Sequence, residues 1–147
     1  MNLSLIKLSD VELLAKIPDY GKLLRIACWV QFKAANGWYA PQYAIIDTGA
    51  HTSLLPLSLW QELEVRMVTN HYVRGLVPKK ECTIDVKVGW VVGKLVDMQG
   101  NTTPEMKVRA FLSLTDNIPL IVGFKDLMDK CELYFNSKSL TGYIEIS

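Results

Sequence analysis

Cysteine and histidine are scarce in this chain, and their spacing argues against a fold held by disulfide bonds and against one held by a metal ion. The three cysteines, Cys28, Cys82 and Cys131, include no Cys-x-x-Cys pair, and an odd, widely spaced set does not look like a disulfide framework. The two histidines, His51 and His71, do not have the spacing of metal ligands. We therefore expect free thiols in a reducing compartment, no structural metal and no cofactor.

The chain also lacks a bias in charge and a long apolar run. Its 16 basic and 15 acidic side chains give a net charge of +1, which argues against nucleic acid as the main partner, because phosphate binding requires a basic patch. No stretch approaches the roughly 18 to 20 apolar residues that span a membrane. Lys7, Asp10 and Glu12 interrupt the apolar residues near the N-terminus, so no signal-peptide core is present. We expect a soluble, cytoplasmic protein without a membrane partner.

What the sequence does have is a hydrophobic content of 50% in 147 residues, which suffices for one domain with its own core. Short apolar segments separated by turn residues at regular intervals predict a mainly β domain, either a barrel or a sandwich, with two or three short helices. We place this domain at residues 22–147 and interpret residues 1–21 as an N-terminal appendage with a short helix.

Capping patterns, alternation and turn residues predict the individual elements. Ser9 and Glu12 have the spacing of a capping box, Asn36-Gly37 predicts a tight hairpin, and Pro56 can open a short helix. The predicted helices cover residues 9–16, 57–63 and 124–130. The predicted strands cover residues 23–32, 38–46, 53–55, 65–76, 83–88, 91–96, 106–112 and 143–146, with turns at 47–49, 75–80 and 100–101 and a short apolar run at 119–122.

The segment from Tyr43 to Ala50 is the most informative part of the sequence. Two isoleucines run directly into Asp47, which is followed by Thr48 and Gly49. A buried strand that ends in this way delivers a carboxylate into a position of low dielectric. The glycine lets the backbone turn tightly and approach a ligand, and the threonine can hydrogen-bond neighbouring backbone or a partner chain. The pattern predicts a site built around one carboxylate.

This segment resembles the Asp-Thr-Gly-Ala signature of the aspartic peptidases, and the length of the chain fits their retropepsin-like, retroviral-type branch. Arg74-Gly75-Leu76 follows about where that family has its glycine-containing flap. Pro119 to Gly123, just before the predicted helix at 124–130, is similar to the second signature of the family. The resemblance covers roughly residues 22–146.

The resemblance implies a single-lobe, closed β-barrel of the acid-protease type that hydrolyses peptide bonds as an aspartic endopeptidase. Because the sequence contains one Asp-Thr-Gly, the second carboxylate must come from a second chain, which implies a homodimer with one Asp47 from each subunit. Two carboxylates in contact share one proton. The ionised carboxylate takes a proton from the attacking water, and the protonated one donates to the peptide carbonyl.

The roles of individual residues follow from the same resemblance. The segment from Arg74 to Pro78 would close over a bound peptide, while Val122 and Gly123 would pack beneath the catalytic turn, although Val122 fits plain core packing equally well. The catalytic residues are Asp47, Thr48 and Gly49. The substrate-binding residues are Ala50, Arg74, Gly75, Leu76, Val77, Val122 and Gly123, and no residue is assigned to a metal.

Some positions depart from the pattern of the family. Many members have an acidic residue directly after the signature and an arginine after the later glycine, and the two brace the active-site loop; here His51 and Phe124 take these positions. His51 either tunes the dyad or is a locally hydrogen-bonded loop histidine. The flap has Gly75 alone, and Pro78 stiffens it. These departures favour an alternative function, a catalytically weak or inactive peptide-binding or scaffold module with the same fold. An unrelated small barrel with an accidental motif is a third hypothesis.

Overall fold

The chain folds around a sheet that closes into a six-stranded barrel. A computed structural model describes residue 1, residues 4–74 and residues 83–146. The strands are β1 Ser4–Leu8, β2 Leu23–Ala34, β3 Gly37–Trp38, β4 Gln42–Ile46, β5 Ser53–Leu55, β6 Arg66–Arg74, β7 Thr83–Val96, β8 Met106–Ser113, β9 Ile121–Val122, β10 Cys131–Asn136 and β11 Thr141–Ile146. The helices are α1 Val11–Lys16, α2 Leu57–Trp60 and a 3-10 helix, Met128–Lys130. The predicted mainly β barrel with short helices is confirmed.

The barrel closes because β7 pairs with strands on both of its edges. The order of neighbours is β2, β4, β9, β5, β8 and β7, and β7 then pairs back to β2 from Trp29↔Val96 to Phe32↔Gly93. The pairs β4–β9 and β5–β8 are parallel, and the remaining pairs of the ring are antiparallel. β6 extends the sheet from β7, and β1 and β3 add to β2.

The core fills the interior of this ring, and the two-residue period of the strands explains which side chains reach it. On β8, Met106, Val108, Ala110 and Leu112 are buried, while the intervening Lys107 is exposed and Arg109 is half-buried. Alternation of this kind places one face of a strand inward and leaves the other to solvent. Equivalent inward residues on the other strands complete the cluster, among them Val30, Ile46, Leu55, Val91, Leu95 and Val122.

The N-terminal segment differs from the prediction in two respects. The helix begins at Val11, and its N-cap is Asp10, whose carboxylate accepts a hydrogen bond of 2.9 Å from the N–H of Leu13. Ser9 was predicted to cap this helix, but it precedes the N-cap by one residue. The second difference is β1, which was not predicted and pairs antiparallel with β2. No helix in the described ranges is long and apolar enough to cross a membrane.

Several predicted elements shift in extent. The hairpin after β2 forms, but Ala34 pairs with Gly37, so its turn residues are Ala35 and Asn36. The predicted strand at 38–46 is interrupted at 39–41, where Pro41 offers no N–H to a ladder. The predicted strands at 83–88 and 91–96 form one continuous strand, β7.

The helix predicted at 57–63 ends at Trp60. The helix predicted at 124–130 is wrong, since a turn at 124–127 leads into the 3-10 helix. Strand β10 was missed, and it forms a separate hairpin with β11.

Candidate active site

The Asp-Thr-Gly turn lies directly at the end of β4 and is held there by β9. Ile46 pairs with Val122 in the parallel ladder of β4 and β9. One residue further along, the N–H of Asp47 donates a hydrogen bond of 3.1 Å to the carbonyl of Val122. The last ladder position of β4 therefore fixes the backbone of Asp47 against a buried strand.

The carboxylate of Asp47 is oriented by its own turn. Its Oδ1 accepts a hydrogen bond of 2.9 Å from the N–H of Gly49, and its carbonyl accepts one of 3.1 Å from the N–H of Ala50. A Cβ on Gly49 would lie 3.3 Å from the same Oδ1. Within the described residues Oδ2 has no hydrogen-bond partner. The turn thus fixes the side chain and leaves one oxygen open.

Asp47 lies in water in the single chain. The side chains of Asp47 and Thr48 are exposed, and Ala50 is half-buried. The sequence predicted a carboxylate at low dielectric, and one chain alone does not provide that environment. The hydroxyl of Thr48 also has no partner in the part of the chain that the structure describes. The open face of the turn could therefore receive another molecule or another chain.

Gly123 packs against the backbone that follows this turn, and only glycine fits there, for steric reasons. A Cβ at this position would lie 2.7 Å from the carbonyl carbon of Thr52, 2.8 Å from its oxygen and 2.9 Å from the carbonyl oxygen of Ala50. Its N–H donates a buried hydrogen bond of 3.0 Å to the Oγ of Ser53. No side chain fits, because the neighbouring atoms belong to backbone that is itself tied into β5.

Two more backbone hydrogen bonds join the chain after Asp47 to the chain after Gly123. The N–H of Phe124 donates to the carbonyl of Ala50 at 3.0 Å, and the N–H of Lys125 donates to the carbonyl of His51 at 2.7 Å. Both segments were predicted from the sequence as parts of the site, but Ser53, whose hydroxyl accepts the hydrogen bond from Gly123, was not. The signal was a serine that opens the otherwise apolar strand Ser53–Leu55 and is itself buried.

The structure brings some predicted site residues together and leaves others undescribed. Asp47, Thr48, Gly49, Ala50, Val122 and Gly123 form one connected unit. The side chain of Val122 is only 1% exposed, so this residue supports the turn through its carbonyl and its packing. Arg74 ends β6 opposite Thr83. The predicted flap residues Gly75, Leu76, Val77 and Pro78 lie outside the described residues.

In the part of the chain that the structure describes, no ion pair forms at His51 or Phe124, and the ion pair of Arg109 with Asp126 holds the loop after Gly123 instead. His51 is exposed, and its Nδ1 lies 3.3 Å from the Oγ1 of Thr52, as expected of a locally hydrogen-bonded loop histidine. The carboxylate of Asp126 accepts three hydrogen bonds from Arg109: from the Nε–H at 2.8 Å, from a second guanidinium N–H at 3.2 Å and from the backbone N–H at 3.1 Å. These hydrogen bonds lower the pKa of Asp126 and raise that of Arg109.

The other reactive side chains offer little competing chemistry. Burial raises the pKa of the Cys28 thiol to about 12 and that of Cys131 to about 11, so both are neutral and poorly nucleophilic at ordinary pH. Cys82 lies outside the described residues. Among the residues that the structure describes, no group of three or more His, Cys, Asp or Glu side chains could hold a metal ion.

Comparison of the chain with protein-family models and with curated proteins finds no match to either. The geometry around Asp47 is therefore the observation from which a function can be argued.

Proposed function

We propose that this chain is an aspartic endopeptidase that acts as a homodimer, with one Asp47 from each subunit. The observation that carries the proposal is the Asp47 turn, in which one carboxylate oxygen is fixed by Gly49 and the other is open at an exposed surface. Backbone hydrogen bonds to β9 hold the turn in place. A carboxylate in this arrangement is positioned for chemistry and requires no rearrangement to receive a second group.

The chemistry requires two such carboxylates. A single carboxyl group with an ordinary pKa near 4 is almost fully ionised at neutral pH, so it cannot serve as an acid. When two carboxylates are held in contact, they cannot both ionise freely, and the pair shares one proton. The ionised member then removes a proton from the attacking water, and the protonated member donates its proton to the carbonyl oxygen of the peptide.

A second copy of the chain can supply the second carboxylate. A two-fold axis between two Asp47 turns places like groups opposite one another, as in any isologous dimer. The hydroxyl of Thr48 is exposed and has no partner in the described part of the chain, so it can hydrogen-bond across such an interface. Covering the two turns would also exclude water, which provides the low dielectric that a single chain lacks.

The alternative is a peptide-binding module with the same fold and little turnover. The observation in its favour is that, among the residues that the structure describes, His51 and Phe124 make no ion pair next to the turn. The ion pair of Arg109 with Asp126 counts against it, because it holds the loop after Gly123, and the N–H groups of Phe124 and Lys125 in that loop bond to the chain after Asp47. A module that only binds peptides also has no physical need for an ionisable carboxylate in a dry interface.

The deciding experiment is the cleavage of a diverse peptide pool by wild type and Asp47→Asn, scanned from acid to neutral pH. Asp19→Asn, an exposed carboxylate on the N-terminal segment, is the matched control. We expect cleavage by wild type and by the control, and none by Asp47→Asn. Cleavage that survives Asp47→Asn would refute the assignment. The absence of cleavage by folded wild type would favour the binding module.

A further inference from the structure

A cleft of about 510 Å³ opens on the barrel far from Asp47. It lies where the end of β2, the start of β6, the middle of β7 and the start of β8 approach one another, and its lining residues include Lys33, Glu64, Arg66, Trp90, Val92 and Lys107. On β2, Ala27 pairs with Ile45, close to Asp47. Lys33 lies six residues further along that strand, which corresponds to about 20 Å at the usual rise per residue. The cleft is therefore separate from the proposed catalytic site.

The charges around the cleft are unbalanced. Lys33, Arg66 and Lys107 contribute three cationic groups, and Glu64 contributes one carboxylate. Within the described residues none of these four side chains takes part in an ion pair. Arg109, two residues after Lys107 on β8, differs from them because Asp126 neutralises its charge. Cations that line a concave surface and are not neutralised by ion pairs raise the local concentration of anions.

Trp90 gives the cleft a flat aromatic wall. In the sheet it lies between Arg66 on β6 and Arg109 on β8. The guanidinium of Arg109 is 5.0 Å from the ring centroid, but Arg109 does not line the cleft. In the described part of the chain the indole N–H has no hydrogen-bond partner. Val65 and Val92 add apolar surface beside the ring.

We propose that this cleft binds a small anionic molecule that carries a planar ring, of the mononucleotide class. The ring lies against Trp90, the anionic group lies among Lys33, Arg66 and Lys107, and Glu64 accepts a hydrogen bond from a hydroxyl or amino group of the ligand. The cleft has the volume typical of small-molecule sites, which is about 300 to 1,000 Å³. An ordinary inorganic anion would leave the aromatic and aliphatic surface unused.

The test is isothermal titration calorimetry, which measures the dissociation constants of the full chain for adenosine monophosphate, adenosine and inorganic phosphate at low ionic strength. We expect adenosine monophosphate to bind more tightly than either fragment, and its binding to weaken as salt screens the cations. The triple variant Lys33→Gln, Arg66→Gln, Lys107→Gln should bind about 30-fold more weakly, from about threefold for each exposed charge contact. The matched control is Lys138→Gln, an exposed lysine on the β10–β11 hairpin that should leave binding unchanged. Thermal unfolding of the triple variant verifies that it is folded.

Trp90→Leu provides a separate test of the aromatic wall. It should reduce the advantage of adenosine monophosphate over inorganic phosphate while leaving the salt dependence in place. Four outcomes would overturn the proposal: no binding of adenosine monophosphate at millimolar concentration, equal binding by the folded triple variant, equal affinity for inorganic phosphate alone, or much tighter binding of a ten-nucleotide single strand than of the mononucleotide. The last result would identify a nucleic-acid surface instead.

Discussion

Replacing Gly123 by alanine tests how the candidate site is held together. The new Cβ would lie 2.7 Å from the carbonyl carbon of Thr52 and 2.9 Å from the carbonyl oxygen of Ala50. Both are backbone atoms, so no side-chain rotation can relieve the overlap. Separating the strands would also stretch the buried hydrogen bond from Gly123 to Ser53. Overpacking of a well-ordered interior costs about 1 to 3 kcal/mol, and contact with backbone favours the upper end of that range.

The assay is thermal unfolding followed by circular dichroism. For a domain of this size, about 3 kcal/mol corresponds to a fall in Tm of roughly 6 to 12 °C. Gly49→Ala is the matched control, because its Cβ meets only the carboxylate oxygen of Asp47 at 3.3 Å in an exposed turn. A Gly123→Ala protein with a Tm within about 2 °C of wild type would refute the reasoning, since the overlap would then be relieved at little cost.

Three further predictions follow from named interactions. Ser53→Ala leaves the buried N–H of Gly123 without a partner and should lower the free energy of unfolding by about 1 to 3 kcal/mol in a urea titration. The pKa of Asp126 is lowered chiefly by Arg109, so this carboxylate contributes stability above about pH 4 that is lost as the pH falls through its lower folded pKa; Asp126→Asn should flatten the acid limb of a pH–stability curve. With its pKa raised to about 12, Cys28 should be alkylated at pH 8 more than about 1,000-fold more slowly in the folded than in the unfolded chain, as followed by peptide mass spectrometry.

Each of these predictions has a contradicting result, and the first also has a matched control. Ser58→Ala changes an exposed serine within α2 and should leave stability unchanged. An equal loss in both serine variants would contradict the role given to Ser53. Asparagine suits position 126, because Asp126 has a positive φ of 67°, which asparagine tolerates. An unchanged acid limb in Asp126→Asn would contradict the argument from Arg109. Alkylation of folded Cys28 at the unfolded rate would show that its environment is open.

The sequence predicts those parts of the fold that depend on neighbouring residues. Alternation identified β8, and the apolar run from Leu23 identified β2, because a half-buried strand must alternate or run apolar. Other features depend on distant pairing and were missed. β1 forms a strand because it pairs with the edge of β2, and β10 forms one because it pairs with β11. Similarly, Ser9 and Asp10 are both good capping residues, and only the backbone geometry selects Asp10.

The candidate site divides in the same way. The turn at Asp47 is predictable, because a strand followed by Asp, Thr and Gly forms its hydrogen bonds within three residues. Its attachment to Val122 and the bond between Gly123 and Ser53 link positions more than 50 residues apart, since Ser53 and Gly123 are separated by 70. Local patterns carry no information on such contacts. The exposure of Asp47 was also unpredicted, because apolar flanking residues cannot show that a strand ends at an open surface.

Mixing wild type with Asp47→Asn shows whether two chains share one catalytic pair. At a fixed total concentration at which the dimer is populated, random assembly makes wild-type homodimers in proportion to the square of the wild-type fraction. If mixed dimers are inactive, an equal mixture should retain about a quarter of the cleavage activity of wild type, and an equal mixture with Asp19→Asn should retain all of it. Retention of about half the activity with Asp47→Asn would mean that each chain acts alone, which contradicts a dyad built from one Asp47 per subunit.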